Sequence, residues 1–283
     1  TSEPVQISSY YKKLRFFYNR MHSPDGAMHF PIKLNPKDSH VEGLQFHVNY
    51  LKNKIQENNY KRVMELGSGV GYNIVSLAEE LPDVEFVGLD LTEKNLKIAK
   101  EKVAEKQLKN VQFLQANFDE LNIEKYKTQD LIFSIEAMCH SADVGLIIKK
   151  CHSLLSEKGR MIVIDGYGTE KVRNGDESTL RAADYFSKGF FLPNPQYLVD
   201  ATEPATEVGF QVKTTDYTEN ILSNFVRFEE GVDMMFRYPW FTRFLMKIKV
   251  FPIELFRHGL AGLYGPFLLK YGYAGYFLVE MKK

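Results

Sequence analysis

The stretch Val63-Met64-Glu65-Leu66-Gly67-Ser68-Gly69-Val70-Gly71 runs from an apolar segment into three alternating glycines and then into a run with helical spacing of its apolar residues. Glycines in a strand-to-helix turn let the backbone approach a ligand closely and take dihedrals that other residues resist. The spacing excludes two familiar ligands. A dinucleotide fingerprint beginning at Gly67 needs glycine at position 72, where Tyr72 stands. A phosphate-binding P-loop needs Lys and then Ser or Thr after its last glycine, and neither is present. What remains is an acid near the strand end followed by G-x-G-x-G.

Working outward, short β-branched runs alternate with longer amphipathic runs, the pattern of a parallel sheet flanked by helices. Strands are expected at 62–66, 85–91, 111–116, 130–135 and 160–164, with helices at 71–80, 93–107 and 143–155 between them. Thr92 is placed as a helix N-cap, and Glu157-Lys158-Gly159 as the turn into the fifth strand. Residues 168–176 read as a loop leaving the sheet. A helix over 201–208 is expected to be interrupted at Pro204, with further strands at 210–217 and 276–281. The fold class is therefore α/β, a Rossmann-like sheet of seven strands with helices on both faces. The whole of 1–283 reads as one domain: a helical cap over 1–58, a core over 59–217, an aromatic-rich lid over 218–272 and a last strand over 273–283. Both added segments are expected to pack over one edge of the sheet.

Composition narrows the functional classes. The 283 residues carry 36 Lys and Arg against 36 Asp and Glu, which disfavours a protein that grips a nucleic-acid backbone. Two cysteines cannot form a disulfide framework, so a reducing, cytoplasmic setting is expected. The Thr-Ser-Glu-Pro start lacks the apolar core of a signal peptide. Aromatic residues make up 13% of the chain and crowd into 218–272, interspersed with Lys and Arg.

The glycine loop resembles the first motif of the class I S-adenosylmethionine-dependent methyltransferases, and the resemblance covers residues 60–167. It implies that the loop packs against the methionine part of the cofactor. Asp90, 23 positions after Gly67, then accepts the ribose hydroxyls. Asn117 stands where that family often has an Asp for the adenine amine; its amide oxygen can accept the same bond, with Phe118 packing on the ring. The implied cofactor set is Glu65, Gly67, Ser68, Gly69, Gly71, Asp90, Leu91, Asn117, Phe118 and Ile135, joined by Tyr11 from the N-terminal segment.

After the fourth strand, Glu136-Ala137-Met138-Cys139-His140 is similar to the segment that sterol side-chain and isoprenoid methyltransferases carry there. Ala27-Met28-His29-Phe30 resembles the His-Phe motif of that group, and Tyr10, Tyr11 and Tyr18 stand where it has lid tyrosines. The resemblance implies methylation of an isoprenoid or sterol-like alkene on carbon, which leaves a cation on the substrate and then releases a proton. Glu136 can stabilise that cation and take the proton; it can equally order the loop or contact the cofactor amine. His140 can serve as base or hold Glu136, or simply pack with Cys139 at a helix start. Asp165 is a further candidate. His29 and Tyr18, together with Trp240 and Phe241 of the aromatic segment, are expected at the acceptor. That segment reads as a lid over an apolar acceptor, as an interfacial surface against a membrane, or as plain helix packing.

Cys139-His140 and Cys151-His152 lie at opposite ends of one expected helix, too far apart to share a tetrahedral ion, so no metal is assigned. Two cysteines also separate the chain from the arsenic methyltransferases. An amine, phosphobase, phenol or quinone acceptor is the alternative chemistry. An inactive cofactor-binding protein is the reading from a different class.

Overall fold

The computed structural model describes residues 22–192, 196–248 and 253–283. Elements follow in chain order: α1 (His40–Asn58), β1 (Arg62–Leu66), α2 (Tyr72–Glu80), β2 (Glu85–Asp90), α3 (Glu93–Glu105), β3 (Val111–Gln115), β4 (Gln129–Ile135) and α4 (Val144–Leu154). They continue as β5 (Leu155–Gly168), α5 (Glu170–Arg173), α6 (Glu177–Gly189), α7 (Leu198–Glu207), β6 (Gln211–Asp216), α8 (Thr218–Ile221), α9 (Val226–Arg237), α10 (Pro239–Lys247), α11 (Ile253–Lys270) and β7 (Ala274–Lys282).

The seven strands form one sheet in the order β3-β2-β1-β4-β5-β7-β6. All pairs are parallel except those of β7, which runs antiparallel to both β5 and β6. The order reverses between β1 and β4, and ligands of such sheets lie beyond the carboxyl ends of the strands at that point.

Alternation along the strands divides the core in two. Val63, Leu131, Phe133, Ile162 and Leu278 face one layer, and Met64, Leu66, Ile132, Met161, Val163 and Val279 the other. The second layer is closed by α4 and α7 through Ile147, Cys151, Ala201 and Ala205. The first is shared by Val48, Leu51 and Ile55 of α1, Ile74 of α2, Phe225 and Leu269. The N-terminal and aromatic segments thus build one face of the sheet rather than covering an edge. Their apolar side chains have a larger surface to bury there than an edge offers.

Three local expectations are corrected. Pro204 lies inside α7 without interrupting it, and its ring packs against Gly145 at the start of α4. The Glu157-Lys158-Gly159 turn is a bulge inside a longer β5, where the register jumps from the Gln129–Leu155 pair to the Leu131–Arg160 pair. Residues 168–176 are not a plain loop: β5 runs to Gly168 and the short α5 follows. The next helix, α6, starts at an Asp176 cap whose carboxylate accepts from the Thr179 amide at 2.8 Å.

Candidate functional site

The loop leaving β1 holds three glycines at positive φ, Gly67 at 77°, Gly69 at 54° and Gly71 at 81°. Their surroundings differ. A Cβ on Gly67 would overlap that of Ala137, so the glycine lets the loop after β4 close on the loop after β1. A Cβ on Gly71 would fall 2.8 Å from the Phe113 ring, which sets how closely α2 packs. A Cβ on Gly69 would meet nothing within 4 Å among the described residues. Gly67 and Gly71 are thus explained by packing, whereas Gly69 borders open space of the kind a ligand fills.

Glu65 is buried at the same turn. Asn73 Nδ2 donates to its Oε1 at 2.9 Å, while Oε2 has no hydrogen-bond partner among the described residues. Burial, with the nearby Asp90 carboxylate adding to it, pushes the Glu65 carboxyl up to about 8. Asp90 is not a solvated strand end. Its Oδ2 accepts from the Gly69 amide at 2.9 Å and its Oδ1 from the Thr92 amide at 2.8 Å and Asn95 Nδ2 at 3.1 Å. Phe118 lies beside Gly67, and Asn117 caps the turn before Asp119, accepting that residue's amide at 3.1 Å. Ile135 is buried, and the Leu91 carbonyl accepts from Gln115 Nε2 at 3.0 Å.

Glu136 follows β4 with φ 48°, a left-handed conformation that costs a non-glycine residue about 1–2 kcal/mol. Its amide donates to the Ile164 carbonyl at 2.9 Å, anchoring the strained turn to β5. One carboxyl oxygen, Oε1, accepts from the Phe30 amide at 2.6 Å and from the Tyr276 hydroxyl at 2.7 Å. Burial pushes Glu136 up to about 8 against the opposing pull of those two donors. The rings around it are aromatic: Phe30 lies 5.3 Å from Phe225 and 6.3 Å from Tyr276. Asp165, buried and pushed up to about 7, accepts from the Cys139 amide at 2.9 Å and so holds the turn Met138–His140.

The N-terminal segment closes over this end of the sheet. Gly26 sits against Val70 of the glycine loop, Lys102 Nζ of α3 donates to the Asp25 carbonyl at 2.6 Å, and Phe30 reaches Glu136. The first two of these contacts come from Ser23-Pro24-Asp25-Gly26. In the fold this segment is the crossing point between the cradle and the carboxyl of Glu136.

Several expected residues stand elsewhere. The His29 ring is buried between His47 of α1, at 4.1 Å, and Tyr72 of α2, at 5.6 Å. It faces a helix interlayer, and its backbone neighbour Phe30 makes the contact to Glu136. Burial pulls His140 down to about 4, and its ring engages the Phe191 backbone, which makes it a weak proton acceptor near neutral pH. Trp240 and Phe241 project from α10, 70% and 45% exposed, and do not line an interior site. Helix α10 has no buried residue, so it is a surface helix and not an inner wall. Tyr10, Tyr11 and Tyr18 lie outside the described residues. Asn73, Tyr276 and the Phe30 amide were missed by the sequence reading. Asn73 had a signal in its place two residues after Gly71. Tyr276 had none, being 140 positions from its partner.

A family described as "Methyltransferase domain" matches residues 57–186. Residues 57–186 are thus similar to a methyltransferase domain. The match spans β1 to β4 with both loops just described and runs on into α6. Among curated relatives, 24-methylenesterol C-methyltransferase 2 of Arabidopsis thaliana is 24% identical over 194 residues, 66% of this chain and 51% of that one. The ubiquinone biosynthesis O-methyltransferase of Acinetobacter baylyi is 29% identical over 131 residues, 46% of this chain and 48% of that one. The chain spans about half the length of these relatives. The fold is shared with the cyclopropane synthase MmaA2 of Mycobacterium tuberculosis (TM-score 0.78, 14% identity, 100% and 99% of the two chains). It is shared also with geranyl diphosphate C-methyltransferase of Streptomyces coelicolor (TM-score 0.70, 12% identity, 100% and 98%). A methyltransferase domain of this fold implies S-adenosylmethionine as cofactor. Two features of the cradle fit that group: the space a Cβ on Gly69 would enter and the buried Glu65 oxygen without a donor among the described residues.

Proposed function

We propose that the protein transfers a methyl group from S-adenosylmethionine to a small, largely apolar acceptor, and that the acceptor is an isoprenoid or sterol-like alkene methylated on carbon. The observation that carries this reading is a half-buried carboxyl, Glu136, set among aromatic rings at the carboxyl end of β4 with two fixed donors on one oxygen. The relatives named above, one acting on a sterol carbon and one on an oxygen, support the class and leave both acceptor chemistries in view.

When bound, the cofactor supplies a methyl already activated on a sulfonium. Glu65 would hold the positively charged amine of the methionine moiety, and Asp90 would accept from the ribose hydroxyls. Glu136 faces the acceptor. Glu136 would be favoured in its ionised form by the positive charge of the bound cofactor, which would oppose the effect of desolvation. Attack by an alkene places positive charge on substrate carbon. The carboxylate, with the faces of Phe30 and Tyr276, stabilises that charge, and Glu136 takes the proton that restores the double bond. An amine or oxygen acceptor leaves no carbocation and asks much less of Glu136.

The test is Glu136→Gln, assayed with S-adenosylmethionine and isoprenoid or sterol alkenes alongside phenol and amine acceptors. Turnover of the alkene is expected to fall by about 10²–10⁴, with S-adenosylhomocysteine binding unchanged by calorimetry. Undiminished alkene turnover removes Glu136 as the base. Turnover of a phenol or amine alone moves the assignment to the second chemistry. No binding of S-adenosylhomocysteine at millimolar concentration would sink both.

A further inference from the structure

Helix α10 has no core to enter. Its stripe Trp240, Phe244 and Ile248 is 70%, 51% and 47% exposed, and Phe241 beside it 45%. A helix of nine residues is not stable by itself in water, and among the described residues it packs mainly on α9, so the stripe needs a partner. Charge indicates which. From Met234 to Ile253 the sequence has four basic residues, Arg237, Arg243, Lys247 and Lys249, and no acidic one, in a chain whose net charge is zero. Arg237 is paired with Asp233 of α9 at 2.7 Å, whereas no acid pairs with Arg243 or Lys247 among the described residues. Both lie one helical step from the aromatic stripe.

We infer that α10 is an interfacial helix that seats the protein on an anionic lipid bilayer, Trp240 and Phe244 entering the headgroup boundary with Arg243 and Lys247 on lipid phosphates. An indole with an apolar body and one polar N–H suits that depth, and flanking cations add electrostatic attraction to the buried area. Among the described residues no helix is long and apolar enough to span a membrane, so the contact is a surface one. The same segment leads inward. Phe228 of α9 lies 5.7 Å from Phe225, which packs on Phe30 beside Glu136. A lipid-soluble acceptor leaving the bilayer would meet aromatic surface along that path. The purpose of the docking rests on the apolar acceptor proposed above, while the docking itself does not.

Trp240 is the only tryptophan in the chain, so its emission reports this helix directly. In lipid-free protein it is expected to emit as a water-exposed indole. Phosphatidylcholine vesicles with about a third phosphatidylglycerol should shift it to the blue and carry the protein in flotation; phosphatidylcholine alone should do so weakly. At about 1 kcal/mol per basic residue near an anionic surface, Arg243→Gln with Lys247→Gln should weaken binding roughly 30-fold. Trp240→Ser with Phe244→Ser should abolish flotation without lowering the melting temperature, since both side chains are exposed.

Absence of a shift with anionic vesicles overturns the inference, as does equal binding to neutral ones. Blue emission without lipid overturns it too, naming a second copy if it fades on dilution and the chain's own residues if it does not. Calorimetry with S-adenosylhomocysteine, run on the same samples, reports separately on the methyltransferase reading.

Discussion

At the amino end of the strands, Glu280 of β7 is buried but fully engaged: Arg160 donates to it, Tyr50 donates at 3.0 Å, and Lys54 lies at 3.3 Å. Asp130 beside it accepts from the amides of Lys61 and Arg62 at 2.9 and 3.1 Å and from the Ser156 hydroxyl at 3.1 Å. At the carboxyl end Glu65 and Asp165 are as enclosed and Glu136 is half-buried, yet among the described residues none pairs with Lys or Arg, and desolvation raises all three. A carboxyl buried without a cation is costly to ionise. One end of the sheet is therefore electrostatically complete, and the other is arranged for a cation that the described residues do not supply. A sulfonium with an ammonium group meets that description.

Removing a carboxyl should have opposite consequences at the two ends. Glu280→Ala strands Arg160 and Tyr50, and a broken buried pair costs about 3–5 kcal/mol; because Arg160 and Lys54 retain some solvent, about 2–3 kcal/mol is expected, read by urea unfolding. Glu136→Gln should leave stability near neutral pH unchanged or higher. Equal destabilisation by both variants would erase the contrast between the ends.

The second effect is on pH. Glu65 and Glu136 hold their protons in the folded protein up to about 8, whereas the unfolded chain loses them near the usual carboxylate value. The folded state then binds more protons over that window, so the stability of the unliganded protein falls as pH rises from about 4.5 to 8. Cofactor binding reverses this at Glu136. S-adenosylmethionine is expected to gain affinity relative to S-adenosylhomocysteine as pH rises through about 8, because only the sulfonium rewards ionised Glu136. The contribution of Glu65 acts on the amine common to both ligands and cancels in the ratio. Calorimetry of both ligands across that range checks this, and a ratio that stays flat would place the sulfonium away from Glu136.

The smallest effect is expected from Tyr276→Phe, which removes one donor that favours the ionised carboxyl. One unit of pKa corresponds to a tenfold change in the ionised fraction below the pKa. Turnover should therefore drop about tenfold near neutral pH and recover toward alkaline pH. A drop that is independent of pH would mean that Tyr276 acts by shape and not through Glu136.

The cradle was legible because its parts are local. Glu65 to Gly71 lie within one strand-turn-helix unit, and Asp90 ends the next strand, so spacing along the chain fixes their places in space. Seven strands were readable for the same reason, with errors confined to ends and to the bulge before Arg160. Pro204 misled because a proline loses one helical bond and can still stay inside a helix where its ring packs, as it does against Gly145. Trp240 and Phe241 misled because aromatic density marks a need for burial and carries no information about where the surface is.

By itself the amino-acid sequence determined the α/β alternation, the glycine turn and the acid at the end of each of the first two strands. Those follow from periodicity and steric freedom over a few residues. Only the tertiary structure decided the partners of Glu136, since the Phe30 amide and the Tyr276 hydroxyl come from 106 and 140 positions away. It also turned His29 into a helix interlayer and left α10 outside the core. Such outcomes depend on which surfaces compete for burial once the sheet has closed, a property of the assembled layers and not of any segment.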